Sequence, residues 1–415
     1  MCSPLDTWVW CSALLLAVAL LFAPPVHAAG HYDALFRLEI HPDSPVARGS
    51  LTIKQNSPLL LSMRLNMPEN RYKLLEADGG STRDGRYVLW NPAGSGVSRF
   101  EYEVELTQPR GRAYDALLTK DWALLRGDDV FPAAQTKEVD AAASRSRVDL
   151  RVPDGWKQVT SFKRQRGGSW AIDNPDRLFD RPTGWILVGR LGIKRETIAG
   201  LPITVAAPIG ARAQRITMLA MLRWNLGWML EQTPAAPERL LIVSGADPLW
   251  RGGLSAQTSL FLHADLPLIS NDGSSPLLHE VAHVLYPVNA AEVEDWVDEG
   301  VAEFIGLRAM RETGTLSQAR YEDSIAYFRR RGDRVKSLLS ADSRGAVTAR
   351  AVALLHDLDE EMQLASNGRH DIMSLIRAMM ESDEPLTLRA LDSLVTREFE
   401  FSSQTLTREL KNSAE

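Results

Sequence analysis

The sequence predicts a multi-domain α+β protein in which an all-β half precedes a mainly helical half carrying a small sheet. Three observations predict it. From about His31 to Ile209, short apolar segments with two-residue alternation recur between Gly, Pro, Asn and Asp clusters. No helical pattern interrupts them, which points to a β-sandwich or saddle-like sheet domain. After Pro208-Ile209-Gly210 the period lengthens to that of helices. The 415 residues, 45% hydrophobic and 24% charged, supply ample core for two or three domains.

Residues 1–28 read as a signal peptide. Trp8 to Ala23 is apolar except for Ser12, and Pro24-Pro25 and Val26-His27-Ala28-Ala29 follow in the manner of a cleavage site after Ala28. No Lys or Arg precedes Arg37, so the usual positive start is missing. The alternative is an uncleaved membrane anchor, for which about 16 apolar residues is short. Either reading puts the remainder outside the cytoplasm, periplasmic or secreted. Both cysteines, Cys2 and Cys11, lie in this segment, outside any lipobox-like context. A mature chain would then hold no disulfide and no thiolate, leaving His, Asp and Glu for any metal.

Residues 29–209 form the expected all-β domain. Ala34–Ile40, Ser50–Ile53, Leu59–Met63, Phe100–Leu106, Val148–Val152 and Gly184–Gly189 suit strands. Phe-Glu-Tyr-Glu-Val-Glu-Leu is the pattern of a strand with one dry face. Trp156, Trp170 and Trp185 read as core. Residues 210–415 form the second expected domain. Ala213–Gln232 reads as an amphipathic helix with Ile216, Leu219, Leu222, Leu226 and Leu230 near one face. Arg239–Val243 reads as a strand, and Ser255–Ala264 as a second extended run introduced by Gly252-Gly253-Leu254. Helices are expected near 316–331, 347–365, 370–381, 386–399 and 406–412.

Chemistry concentrates between Leu277 and Phe304. Ser274-Ser275-Pro276 is a cap-and-Pro helix start. His279 and His283 then fall four residues apart, on one helix face, where two imidazoles can share a metal ion. Glu280, next to the first histidine, stands where a general base could take a proton from water on that metal. Glu299, in Trp296-Val297-Asp298-Glu299-Gly300-Val301-Ala302-Glu303, is placed to complete the ligand set from the next helix. His-Glu-x-x-His arises by chance in about 1% of chains this long, given average residue frequencies. The bland alternative is a buried helix with two satisfied histidines. It leaves unexplained the apolar flanks, which bury the helix, and the second acidic motif that follows. One zinc ion is the expected cofactor.

With these residues in place, the chain resembles the gluzincin metallopeptidases, and within them the family around glycyl aminopeptidase, whose catalytic domain is thermolysin-like. The likeness extends to Gly252-Gly253-Leu254 before a strand, similar to that family's substrate-edge segment. It also covers Asp121–Phe131 and Asp173-Asn174-Pro175-Asp176. The PDZ module common in those relatives is expected to be absent. The resemblance implies His279, His283 and Glu299 as zinc ligands and Glu280 as the base that activates water. It implies Glu303, receiving the far N–H of His279, and Asp298 as carboxylates behind the ligands; the bland role of Glu303 is a surface acid. Gly300 is expected to let the two helices approach closely. Gly253, Leu254 and Ser255 are expected along the substrate.

Two departures from the family follow. Ser255 stands where its aminopeptidases carry a Glu that grips the substrate amine, and serine cannot pair an ammonium. The helix similar to the one bearing their oxyanion tyrosine reads Thr348-Ala349-Arg350-Ala351. That leaves Arg350, His356, His370, Tyr321 or Tyr327 to assist; His356 suits a packed helix histidine equally. Ser259–Leu262 could pair with an extended peptide as an edge strand, or be an ordinary interior strand. Arg329-Arg330-Arg331 suits a helix C-terminus.

The expected function is exported zinc-dependent peptide hydrolysis. The alternative is a catalytically weak or inactive zinc-containing envelope protein that binds peptides or a protein partner. The partner expected is a peptide or protein. The net charge of −6 and pI near 5.8 give no reason to expect nucleic acid. No span is expected beyond the N-terminal segment.

Overall fold

The computed structural model describes residues 30–172, 179–234, 236–339 and 343–414. The expected signal segment and the Asp173–Asp176 likeness lie outside them. Among the described residues the fold is mixed α+β, β-rich in its first part.

Three sheets make up that part. The largest, of seven strands, is centred on His31–Glu39, which runs antiparallel to Val46–Gln55 and parallel to Ala143–Arg151. Alternate residues Tyr32, Ala34, Phe36 and Leu38 are buried, as two-residue alternation requires. A four-stranded sheet built on Leu60–Asn66 joins the same core, in which Trp90, Phe100 and Tyr102 are packed. The third sheet has five strands, with Trp185–Gly189 between Trp122–Arg126 and Lys157–Val159. Trp170 and Trp185 are buried and Trp156 is partly buried, all three in core.

The second part rests on a five-stranded sheet in the order Leu191–Ile198, Leu201–Pro208, Leu240–Gly245, Ser259–His263, Gly253–Ala256. The expected division at residue 209 therefore does not follow the sheets. The hairpin 191–208 was expected in the all-β half, but Leu201–Pro208 pairs in parallel with Leu240–Gly245. Its alternation marks it as β; nothing local says which sheet it joins.

Side chains of this sheet part by parity. Ile203, Val205, Leu240, Ile242, Leu260 and Leu262 face the large core shared with the helices. Leu241, Val243, Ala206 and Phe261 face a smaller core that includes Leu124, Trp185 and Leu187 of the first part. The centre of the sheet is thus sandwiched, and that explains the near-continuous apolar runs of Leu201–Pro208, Leu240–Gly245 and Ser259–His263.

The expected Ser255–Ala264 run is a hairpin, Gly253–Ala256 with Ser259–His263. Ser259–His263 is interior; the edge is Gly253–Ala256. Helices follow at Pro276–Leu285, Trp296–Glu312, Gln318–Gly332, Ala346–Ser366, Ile372–Met380, Leu388–Phe399 and Gln404–Ala414. The Arg215–Gln232 helix buries most of the expected face, with Leu230 packed against the core, and more beside it. Met218, Met221, Asn225 and Met229 join Leu219, Leu222 and Leu226 inside, while Ile216 is 64% exposed. Methionine widens the buried face beyond the leucines. No helix among the described residues is long and apolar enough to cross a membrane.

Candidate metal centre

Two helices bring the site together. Pro276–Leu285 begins at Ser275, whose hydroxyl accepts the Leu278 N–H at 3.3 Å, with Pro276 in the first turn. Leu277, Leu278, Val281, Ala282, Val284 and Leu285 bury its apolar side, which turns the polar residues toward the next helix. Trp296–Glu312 is anchored where it starts. Glu294 Oε2 accepts the Trp296 indole N–H at 3.0 Å and the Leu388 N–H at 2.6 Å. Asp295 accepts the Ser343 N–H at 2.9 Å.

Across this pair, His279 Nε2, His283 Nε2 and one Glu299 carboxylate converge. The two Nε2 atoms lie 3.1 Å apart, and Glu299 oxygens lie 3.4 Å from His279 and 3.6 Å from His283. His279, His283 and Glu299 form a group that could hold a metal ion. Bonds of about 2.0–2.1 Å at tetrahedral angles set neighbouring ligand atoms about 3.3 Å apart, close to the observed spacings. The imidazole planes are nearly perpendicular, at 84°.

The outer nitrogens decide what the inner ones can do. His279 Nδ1 is 2.8 Å from Glu303 Oε2, and His283 Nδ1 is 3.1 Å from Asp298 Oδ1. A carboxylate beside each Nδ1 requires a proton there. Both Nε2 atoms of neutral imidazoles are then acceptors, and the carboxylate between them is a third. Three mutual acceptors in contact call for a cation, and this donor set fits a divalent ion.

With no ion between them, protons on the imidazoles meet the same demand for positive charge. Burial works against an imidazolium at His279, yet hydrogen bonds to Glu299 and Glu303 hold its pKa well above the usual histidine value. At His283, burial again opposes the charge, and Asp298 raises the pKa nonetheless. Burial works to raise the Glu299 carboxyl, but the His279 hydrogen bond, the two imidazoles and Arg344 hold it low. Glu280, 7% exposed, is pushed up to about 7 by burial, with the imidazoles acting against the shift and Glu299 and Asp298 adding to it.

Opposite Glu280 runs the edge strand. A Cβ on Gly253 would sit 2.3 Å from Glu280 Oε1, so only glycine lets this backbone and the carboxylate lie together. Ser255 pairs with Leu260 in the hairpin, half-buried, and the Leu254 carbonyl accepts the Trp185 indole N–H at 2.9 Å. Gly300 does not mediate the approach of the two metal helices. Its Cβ position lies 2.6 Å from Ala351 Cβ, on the Ala346–Ser366 helix, whereas Gly306 faces the backbone of Leu278 and His279 at 3.4–3.5 Å.

Three expected substrate contacts are engaged elsewhere. The Arg350 guanidinium grips Glu409 at 2.8 and 2.7 Å and donates to the Val335 carbonyl. Tyr321 is 2% exposed and stacks edge-on against His356. Their helix phases turn them into interhelical packing, which one-dimensional spacing does not reveal. Of the other oxyanion candidates, the Tyr327 hydroxyl accepts from Arg331 and His370 packs on Phe399. Arg344, whose charge reaches Glu299, was missed. It lies just before a helix, with no motif to mark it.

Glu303→Gln should keep the fold and weaken metal affinity about 10- to 100-fold, since the amide accepts the imidazole N–H less strongly. Titration against a competing chelator measures it; unchanged affinity would assign Glu303 to the surface.

No family model matches the chain, and no curated protein matches it. Solved structures do. An aminopeptidase N family protein from Idiomarina loihiensis superposes with a TM-score of 0.69 at 15% identity, covering 92% of this chain and 75% of that one. Aminopeptidase A of Legionella pneumophila, solved with aspartic acid, gives a TM-score of 0.55 at 12% identity. The match covers 92% of this chain but spans only about half, 49%, of that one. The fold is therefore that of aminopeptidase N-like structures.

Proposed function

We propose that this protein is an exported zinc metallopeptidase. The observation that carries the reading is the set of three acceptor atoms, each imidazole backed by its own carboxylate, beside the buried Glu280. When bound, the zinc ion supplies a Lewis acid that polarises the scissile carbonyl and makes water acidic. Glu280 takes the proton as a water oxygen bonds to the carbonyl carbon, and delivers it to the amine nitrogen as the C–N bond breaks. Asp298 and Glu303 keep the imidazoles in the tautomer that faces inward. The Gly253–Ala256 edge offers backbone groups along which an extended peptide can lie. The aminopeptidase N-like fold adds support.

The test is metal content by mass spectrometry together with a peptide-library digest. One zinc per chain and cleavage abolished by chelation are expected. Zinc without cleavage of any library member would favour a zinc-containing binding protein.

Gly253→Ala offers a second check, because the added methyl must displace Glu280. With metal retained, the rate should fall about 100-fold, as misplacing a reacting group by about 1 Å does. Full activity in this variant would remove Gly253 from the site.

A further inference from the structure

A cavity of ≈ 340 Å³ lies where the first part of the chain meets the second sheet. It is on the opposite face of that sheet from the metal helices. Thr204 alternates with Ile203 and Val205, and Leu241 with Leu240 and Ile242, so these two point away from the helix-side core. The metal helix packs on the helix side through Leu277, Leu278 and Val281. Gly253, beside Glu280, is on the far edge of the sheet from Arg195. Nothing in the metal site uses this cavity.

Its polar wall is cationic. Arg164, Arg195 and Arg239 line it in a chain whose net charge is −6. Among the described residues the one acid in ion-pair contact with any of the three is Glu238, 3.4 Å from Arg239 and 79% exposed. Concentrated positive charge of this kind repels itself and is stabilised by an anion.

Donors accompany the charge. Thr160 and Ser161 are buried on the same wall, and Thr160 Oγ1 already accepts the Phe162 N–H, which leaves its O–H to donate. Trp170, 7% exposed, lines the cavity with its ring. The Arg164 guanidinium lies over the same ring, 5.4 Å from its centroid. Val159, Phe162, Pro202 and Leu241 form an apolar wall beside these donors.

We propose that this cavity binds a phosphomonoester, with the phosphate held by Arg164, Arg195 and Arg239, and an apolar body against Phe162 and Leu241. Arginine suits a phosphate through its planar array of donors, and the volume exceeds what a bare phosphate fills. The ligand would tie the 157–172 segment to the second sheet and so clamp the two parts of the chain.

Calorimetric titration of the full-length protein with phenyl phosphate and with inorganic phosphate, at fixed ionic strength, tests it. Saturable binding is expected, tighter for phenyl phosphate. The double variant Arg195→Ala, Arg239→Ala should bind at least about tenfold more weakly. Circular dichroism melting checks that the variant is folded. No saturable binding, or equal binding by the folded double variant, overturns the site. Inorganic phosphate binding as tightly as phenyl phosphate overturns the apolar body. Vesicles containing phosphatidic acid separate the sources: arginine-dependent binding to them assigns a lipid headgroup, and its absence assigns a soluble ester. None of these readouts depends on peptide hydrolysis or on the metal.

Discussion

Glu280→Gln should keep the metal and lose hydrolysis by on the order of 10³-fold in kcat/KM, within the usual range for a positioned general base. The substitution preserves shape and removes one proton-accepting oxygen. It does not touch the ligand atoms, so metal content should stay at one ion per chain. Stability should hold or rise. Glu280 is 7% exposed, and its burial disfavours a charge that glutamine does not carry. Kinetics on the best library peptide, paired with metal analysis and a melting curve, reads all three. A rate within a few-fold of wild type would show that another group takes the proton. The same test separates a missing base from a missing metal, because the variants that empty the site are different ones.

The candidate metal site was more legible in the sequence than the walls around it, and the reason is physical. His279, Glu280 and His283 share one helical turn, where the period of the helix alone sets their geometry. Glu299 and Glu303 are likewise one turn apart, so a single contact between two helices aligns both motifs. Gly253 stood out only through the family likeness; its close approach to Glu280 is a long-range contact that no local pattern encodes. Arg350, Tyr321 and His356 were not legible, since their roles depend on the rotation of long helices about their axes. Leucine spacing found only part of the buried face of Arg215–Gln232, because Met218, Met221 and Met229 fill the core as well. The hairpin 191–208 reads as β from its alternation, but membership of a sheet is a long-range pairing that alternation does not encode. The cavity at Arg195 and Arg239 left no local signal, for its residues come from five separate segments.

His283→Ala should abolish tight zinc binding and with it the response of the fold to chelators. In the wild type, an ion present at about 1,000 times its dissociation constant stabilises the folded state by about 4 kcal/mol, and a chelator removes that contribution. The variant has already lost it, so the chelator should shift its melting temperature little. The two perturbations therefore combine non-additively, which is the behaviour of two operations on one site. Losing the imidazole also leaves Asp298 without its N–H donor and His279 facing Glu299 alone. Some destabilisation will thus remain in the metal-free variant. The discriminating quantity is the chelator-induced shift, not the absolute melting temperature. Equal shifts in wild type and variant would place the bound ion away from His283, and the assignment of Glu299 as the third ligand would fall with it.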